Sequence, residues 1–361
     1  DPLLTCMAPI SKSKSFPDPE SSPVGSCAWV SQWLTVLGLL YIIISGSPSL
    51  FSEEDKVWQV IDPVGVQQVV EVEKPPSGKL YDEEGSTIEW SLSSGFRTYH
   101  STNVTRVSST EQTANVMEFN IGANAVFPKV KLDLLNTTMT PRLALLGLRS
   151  YFGRYRLRSA DLRQSDAQIL AYEFRLASLS TDIEALGGVQ LSLGIEYDEL
   201  LNFREGNRLY HAVVPSLALS KILAFESGQS LLLEAQSKFV SSHTNLPYEI
   251  PGIFDDDGDN QQLALNASLI HPLDEEGKML VVPSLSLVRT GYLKNLMSGR
   301  TDYLFVSGIS ASYQMKPWFT PQLFLNHSKK WTNQKGEELL GSASEFKNLD
   351  AGLILSLSHS F

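Results

Sequence analysis

The chain has 361 residues, with 29 Lys and Arg against 40 Asp and Glu, a formal net charge of −11 and 42% hydrophobic residues. An acidic balance offers no counterion-releasing basic surface, which excludes nucleic acid as a main partner. Composition also excludes disordered, collagen-like and disulfide-scaffold chains, because apolar residues are abundant and the only cysteines are Cys6 and Cys27.

Residues 28–44, AWVSQWLTVLGLLYIII, form the only long apolar run. Lys12 and Lys14 precede it, and small residues followed by the acidic stretch 52–55 come after it. This order predicts a secretory signal peptide, with 1–52 as the leader. The alternative is a membrane anchor, which needs about 20 apolar residues. Removing the leader removes both cysteines, so we expect no Cys-based site and no cofactor.

Residues 53–85 combine prolines, glycines and acids, which predicts an extended periplasmic N-terminal segment with one short strand near 66–72. From residue 86 the hydrophobic pattern has a period of two, and no helical period persists. A β-domain over 86–361 is therefore predicted.

Twelve alternating segments divide this domain. They lie near 86–99, 112–125, 140–152, 165–179, 187–200, 208–221, 229–242, 260–271, 278–291, 301–315, 317–329 and 347–361. Short turns at 180–186, 222–228, 272–277 and 316–317 alternate with loops at 100–111, 153–164, 243–259, 292–300 and 330–346. Segment 126–140 is too long for a tight turn and leaves room for an extra strand at 129–135.

Two all-β classes produce such alternation: a soluble sandwich, and a membrane barrel whose apolar face meets lipid. Segment length, the asymmetry of turns and loops, and aromatic residues near segment ends favour the barrel. The aromatic candidates for interfacial girdles are Trp90, Tyr99, Tyr151, Tyr197, Tyr210, Tyr292, Tyr303, Tyr313 and Trp318. The predicted fold is an all-β, transmembrane, antiparallel up-and-down barrel of about 12 strands.

The last segment resembles the C-terminal β-signal of bacterial outer-membrane barrels, in which a polar residue, a glycine and two apolar residues precede a terminal aromatic. The matching residues are Asp350, Gly352, Leu355, Leu357 and Phe361. Segment 300–333 also looks like the penultimate hairpin of β-barrel porin families. The resemblance implies an outer-membrane location and recognition by the barrel-assembly machinery.

Charged residues on the polar faces are candidates for lining the lumen. They are Glu89, Arg97, Glu118, Glu173, Arg175, Glu196, Asp198, Glu234, Lys238, Asp302 and Asp350. In a wet lumen such charges set ion or solute selectivity. The alternative is that opposite charges pair across the wall and brace a narrow, plugged barrel.

Arginines are concentrated over 142–163, and those of the loop are candidate anion-binding residues for lipopolysaccharide phosphates: Arg154, Arg156, Arg158 and Arg163. The alternative is an ordinary solvated loop. The acidic run 255–260 lacks the spacing of an EF-hand, so a solvated loop is favoured and no metal site is predicted.

A barrel-embedded hydrolase needs a serine and a histidine in contact. Ser328 directly follows His327, and adjacent strand residues point to opposite faces, so these two do not form a dyad. We expect no enzyme activity and no catalytic residues. The preferred function is a porin-like channel for small solutes, in contact with outer-membrane lipid. The runner-up is a plugged structural, adhesive or envelope-assembly barrel, and an outer-membrane hydrolase comes third.

Overall fold

The computed structural model describes residues 60–61, 67–68, 88–104, 113–132, 137–152, 172–185, 188–202, 208–245, 258–333 and 345–361. The strands are β1 (Val60–Ile61), β2 (Gln67–Gln68), β3 (Glu89–Ser101), β4 (Ala114–Val126), β5 (Val130–Leu132), β6 (Thr137–Phe152), β7 (Tyr172–Ala185), β8 (Val189–Asn202), β9 (Arg208–Ala224), β10 (Ser230–Thr244), β11 (Asn260–Pro272), β12 (Met279–Tyr292), β13 (Thr301–Tyr313), β14 (Phe319–Thr332) and β15 (Phe346–Ser360). One short 3-10 helix spans Asn295–Met297.

Twelve of these strands close into a ring. Each ring strand pairs antiparallel with its neighbours in sequence, the last strand β15 pairs with the first strand β3, and β4 pairs with β6. The short strand β5 pairs with β6 beyond the end of β4 and lies outside the ring. The predicted closed, antiparallel, up-and-down barrel is thereby confirmed.

The connections differ at the two ends of the barrel. At one end, short turns at 225–229 and 273–278 place Gly228 and Gly277 at φ +80° and +68°, a conformation that glycine adopts without strain. At the other end, β3–β4, β6–β7, β10–β11, β12–β13 and β14–β15 are joined by longer loops, and the β8–β9 connection at 203–207 is the shortest. We call these the turn end and the loop end.

The two faces of the wall have opposite chemistry. Residues paired across neighbouring strands share a face, and one face carries the exposed large apolar side chains. Phe119, Ile121, Leu179, Leu323 and Leu325 are examples, and Ile121 is 68% exposed. In a closed barrel the face with exposed leucines is the outer one, and in a transmembrane barrel it meets lipid.

Most strand predictions agree with the structure within two or three residues. The exception is the segment at 165–179, because β7 spans Tyr172–Ala185. The extra strand expected at 129–135 is β5, and the one expected near 66–72 overlaps β2, which pairs with β1. The leader 1–52 and the rest of 53–85 lie outside the described residues.

The aromatic girdle is only partly as predicted. The register places Trp90, Tyr197, Tyr303 and Tyr313 on the outer face, whereas Tyr99, Tyr210 and Tyr292 point inward. Trp318 is exposed in a turn. Tyr99 donates a hydrogen bond to Glu118, Arg300 lies over the ring of Tyr292, and Tyr210 packs against the apolar cluster of Ala212, Val214 and Val240. These contacts on the inner face explain why aromatic residues near strand ends do not all reach the lipid boundary. No helix in the described part of the chain is long and apolar enough to cross a membrane.

Adjacent residues of β14 test the assignment of the faces. Leu325 pairs with Ile309 and Ala351 on the outer face, whereas Gln322 lies on the inner face. We expect Leu325→Arg to lower the free energy of unfolding in lipid vesicles by about 2–4 kcal/mol, because a cation there meets the bilayer interior. Gln322→Arg serves as the control, since its cation reaches the lumen. Equal losses in urea titrations followed by gel shift would show that the faces are wrongly assigned.

Candidate functional site

The candidate site is the lumen, and its wall is built from small polar side chains. All serines in the ring strands point inward except Ser94, Ser237, Ser241 and Ser307. Inner glycines lie where larger side chains cross: a Cβ on Gly95 would meet Asn120, and one on Gly308 would meet Asn326. Short polar side chains on the inner face are typical of membrane barrels with a polar interior.

The register places most of the predicted lumen-lining residues on this inner face. These are Glu89, Arg97, Glu118, Glu196, Asp198, Glu234, Lys238, Asp302 and Asp350. Glu89 lies at the turn end, and Asp302 and Asp350 lie near the loop end. The predicted set is therefore spread along the whole lumen and does not form one cluster.

Glu173 and Arg175 lie on the outer face, so the prediction that these two line the lumen is wrong. Arg175 pairs with Glu199, and its neighbours along β7, Phe174 and Leu176, point inward. The polarity of the two faces inverts at the loop end of β7, where aromatic and apolar side chains face the lumen and charges face outward. A polar face therefore does not identify the lumen at the end of a strand.

Arg97 is the centre of one inner cluster. Its Nη1 donates to Oε2 of Glu118 at 3.3 Å, and the hydroxyl of Tyr99 donates to Oε1 at 3.1 Å. The guanidinium lies 4.5 Å from the ring centre of Tyr99 and 4.6 Å from that of Phe324, which is cation–π geometry. The carboxylate and both rings thus hold one cation flat against the wall.

A second ion pair lies on the opposite wall. Lys238 Nζ contacts both carboxylate oxygens of Glu196, at 3.1 and 3.2 Å, reaching across the intervening strand β9. Its strand β10 is separated from β3 by five strands in either direction around the ring. Both pairs lie just past the middle of their strands toward the loop end. Asp198 points inward beside this pair, and its shielded Oδ1 has no hydrogen-bond partner in the structure as described.

Two inner ion pairs were missed by the sequence reasoning. Arg142 lies 2.7 Å from Oδ2 of Asp182 toward the turn end, and Ser192 donates to the same carboxylate. Lys330 lies 3.0 Å from Oδ2 of Asp302. Arg142 belongs to the arginine-rich stretch 142–163, but it lies in β6 and shares its face with Ala144 and Leu146. The register with the serine-rich face of β7 is the signal that identifies it as an inner residue.

The loop end of the inner face is tightly packed. Arg300 is 1% exposed; it donates through Nε to Asp302 at 2.8 Å and lies over the ring of Tyr292. At the β3–β15 pairing, Asn348 accepts hydrogen bonds from Ser101, Thr102 and the backbone of Asn103, and it donates to Asp350 at 2.9 Å. Nearly complete burial of polar groups distinguishes this end from the serine-lined turn end.

The residues of the predicted assembly signal divide between the two faces. Asp350 and Gly352 point inward, Leu355 and Leu357 point outward, and Phe361 is exposed with its N–H donating to the Trp90 carbonyl at 2.8 Å. A Cβ on Gly352 would overlap the Thr98 carbonyl oxygen and the Cα and Cβ of Tyr99, because the backbone of β3 approaches this glycine closely.

Other expectations concern loops and the strand β14. The candidate anion-binding residues Arg154, Arg156, Arg158 and Arg163 lie outside the described residues, as do 255–257. His327 points outward and Ser328 inward, so they are not in contact as a dyad. Among the described residues no group of three His, Cys, Asp or Glu side chains has the geometry to hold a metal ion.

No protein-family model matches this chain, and no curated protein matches it. Solved structures share its general architecture at low identity. An outer-membrane channel from Pseudomonas putida F1 is 9% identical with a TM-score of 0.44, covering 78% of this chain and 100% of its own. The translocator domain of the autotransporter NalP from Neisseria meningitidis is 10% identical with a TM-score of 0.37, covering 76% and 90%. The NanC porin is 8% identical with a TM-score of 0.37, covering 72% and 98%. Similarity at this level carries no information about function.

The contribution of the ion pair between Arg97 and Glu118 to the free energy of unfolding can be tested by mutation. Glu118→Leu leaves the guanidinium, whose side chain is 15% exposed, without its carboxylate. We expect a loss of about 2–3 kcal/mol in the free energy of unfolding, below the cost for a fully buried charge because the Arg97 side chain keeps part of its surface exposed. The double variant Arg97→Met with Glu118→Leu should recover part of that loss, as measured in detergent by urea titration. No recovery would mean that the two side chains are energetically independent.

Proposed function

We propose that this protein is an outer-membrane channel that passes small solutes through its lumen without chemical conversion. The observation that carries the proposal is the inner face, where serines and glycines lie along a closed wall whose outer face is apolar. A barrel that only anchors loops has no requirement for a small polar lining along its length. Charged side chains projecting from that lining would then act on the solute.

The charges of the inner face favour cations. Among the ring-strand residues whose side chains the structure describes, the acidic ones on the inner face are Glu89, Glu118, Asp182, Glu196, Asp198, Glu234, Asp302 and Asp350. The basic residues there are fewer, namely Arg97, Arg142, Lys238 and Lys330. Because the acids outnumber the bases, the lumen carries a negative potential that concentrates cations and repels anions.

Reversal potentials across a planar bilayer test this directly. In a potassium chloride gradient the wild-type channel should prefer potassium. The double variant Asp198→Asn with Glu234→Gln removes two inner negative charges, so its potassium preference should fall by a factor of about two or more. Glu276→Gln makes the same kind of change at an exposed turn and should leave the preference unchanged. Anion preference in the wild type would contradict the proposed selectivity.

A second candidate, a plugged structural barrel, is favoured by the burial at the loop end. Asn103 and Arg300 are each 1% exposed, and Ser101 and Asp259 are each 2% exposed. Side chains packed this closely belong to a narrow or closed passage. A preparation that shows the faster gel migration of a folded barrel and yet conducts no current would support this second function over the channel.

We also propose that β15 carries the assembly signal. The supporting observations are its outward Leu355 and Leu357, its exposed Phe361, and the close contact of Gly352 with Tyr99. Phe361→Ser removes the ring contact with His359 and keeps the backbone hydrogen bond to Trp90. We expect outer-membrane insertion in cells to fall several-fold, while the purified variant still refolds in detergent. Equal insertion of variant and wild type in fractionated membranes would contradict this role.

A further inference from the structure

A ladder of charges crosses the outer face of four neighbouring strands at the loop end. Arg149 of β6 contacts Glu173 of β7 at 2.9 Å, and Arg175 contacts the same carboxylate at 2.8 Å. Glu199 of β8 then lies 3.5 Å from Arg175 and 3.5 Å from Arg208 of β9. Three arginines thus alternate with two glutamates along the rim. This cluster is not part of the lumen, because all five side chains point away from the barrel interior.

The arginines and the glutamates of this ladder differ in exposure. The side chains of Arg149 and Arg175 are each 54% exposed and that of Arg208 is 44% exposed. Those of Glu173 and Glu199 are only 15% and 18% exposed. The acids therefore lie against the wall beneath the guanidinium groups, and the surface presented outward is cationic. A guanidinium has five N–H donors, and a single carboxylate cannot accept hydrogen bonds from all of them.

The same sign of charge continues around the loop end. Arg289 of β12, Lys329 of β14 and Lys347 of β15 also point outward near this rim. Within the described ring strands, Glu173 and Glu199 are the only outward acids on which the structure gives side-chain information. The excess acids of the barrel lie on the inner face, and the exposed arginines lie outside. The outer rim is therefore cationic, although the chain as a whole has a net charge of −11.

Directly below the ladder lies an apolar surface. Leu145, Leu179 and Ile195 lie four residues along their strands from Arg149, Arg175 and Glu199, on the same outer face and about 13 Å nearer the turn end. These three side chains are 48–53% exposed. An amphiphile whose anionic group contacts the arginines would place its acyl chains against these residues.

We propose that the arginine ladder binds the phosphate groups of a lipid headgroup in the leaflet at the loop end. Guanidinium forks hold phosphate oxygens through paired, charge-assisted hydrogen bonds, and neighbouring forks suit a headgroup with more than one phosphate. The apolar surface below selects a lipid over a soluble phosphate. This binding does not require an open lumen, so it stands whether or not the barrel conducts.

The competing explanation is that the ladder only braces four strands. The two explanations differ in what the glutamates do. In a brace both signs of charge are equally necessary. At a phosphate site the glutamates compete with the ligand, so their neutralisation should preserve or strengthen binding.

The test uses the full chain folded in detergent, with bound lipid measured by native mass spectrometry. The probes are bisphosphorylated lipid A, its dephosphorylated form, and inorganic pyrophosphate. We expect wild type to bind the bisphosphorylated lipid about ten-fold or more tightly than the other two. Arg175→Gln with Arg208→Gln should lose about ten-fold in affinity for that lipid, and Glu173→Gln with Glu199→Gln should bind it at least as tightly as wild type.

Lys278→Gln with Lys316→Gln is the matched control, because it removes two cations at the turn end and should leave lipid affinity unchanged. Gel migration without boiling confirms that each variant is folded. If Arg175→Gln with Arg208→Gln does not fold, Arg175→Lys with Arg208→Lys replaces it. This variant keeps both positive charges but loses the paired guanidinium donors, so it should still bind the lipid several-fold more weakly than wild type. Three outcomes would each overturn the proposal. The first is wild-type lipid affinity in a folded arginine variant, and the second is an equal loss of lipid affinity in the arginine and glutamate variants. The third is that wild type binds pyrophosphate as tightly as the bisphosphorylated lipid.

Discussion

Closure of the hydrogen-bonded ring is the constraint on which the rest of this structure depends. Lipid supplies no hydrogen-bond partners, so a sheet that spans a membrane must leave no open edge. Here the pairing of β15 with β3 and of β4 with β6 removes both edges. Once the ring is closed, the register of each strand determines which side chains meet lipid. A slip by one residue would exchange the two faces.

The contact between the first and last strands shows how the register is maintained. Gly352 has no side chain at the point where the β3 backbone at Thr98 and Tyr99 lies against β15. Asn348 accepts hydrogen bonds from three consecutive residues, Ser101, Thr102 and Asn103. A shifted register would bring a residue with a Cβ against that backbone and separate Asn348 from its donors. Steric fit and polar contacts therefore support the same pairing.

The closed wall also separates charge of opposite sign. Acids concentrate inside, where nearby Arg97, Lys238 and Lys330 reduce the cost of burying them. Most outward charges of the described strands lie toward the loop end. The proposals for the lumen and for the outer rim both follow from this separation, and they depend on different residues.

Strand count, approximate bounds and the apolar faces were predictable, because alternation is a local property of segments such as 347–361. The placement of Glu173 and Arg175 was not, since β7 inverts its pattern at the rim and places Tyr172 and Phe174 inside. The pairing of Arg142 with Asp182 was likewise missed, because the two residues are far apart in sequence and meet only through the register of β6 and β7.

The sequence by itself determined the all-β class, the period of two and the residues that each strand offers to lipid, since these depend on neighbours along the chain. Only the tertiary structure decided which charges meet. The two ion pairs on opposite walls and the outer arginine ladder join residues from separate strands, and their contacts arise from the register and closure of the ring. Alternation within one strand contains no information about that register.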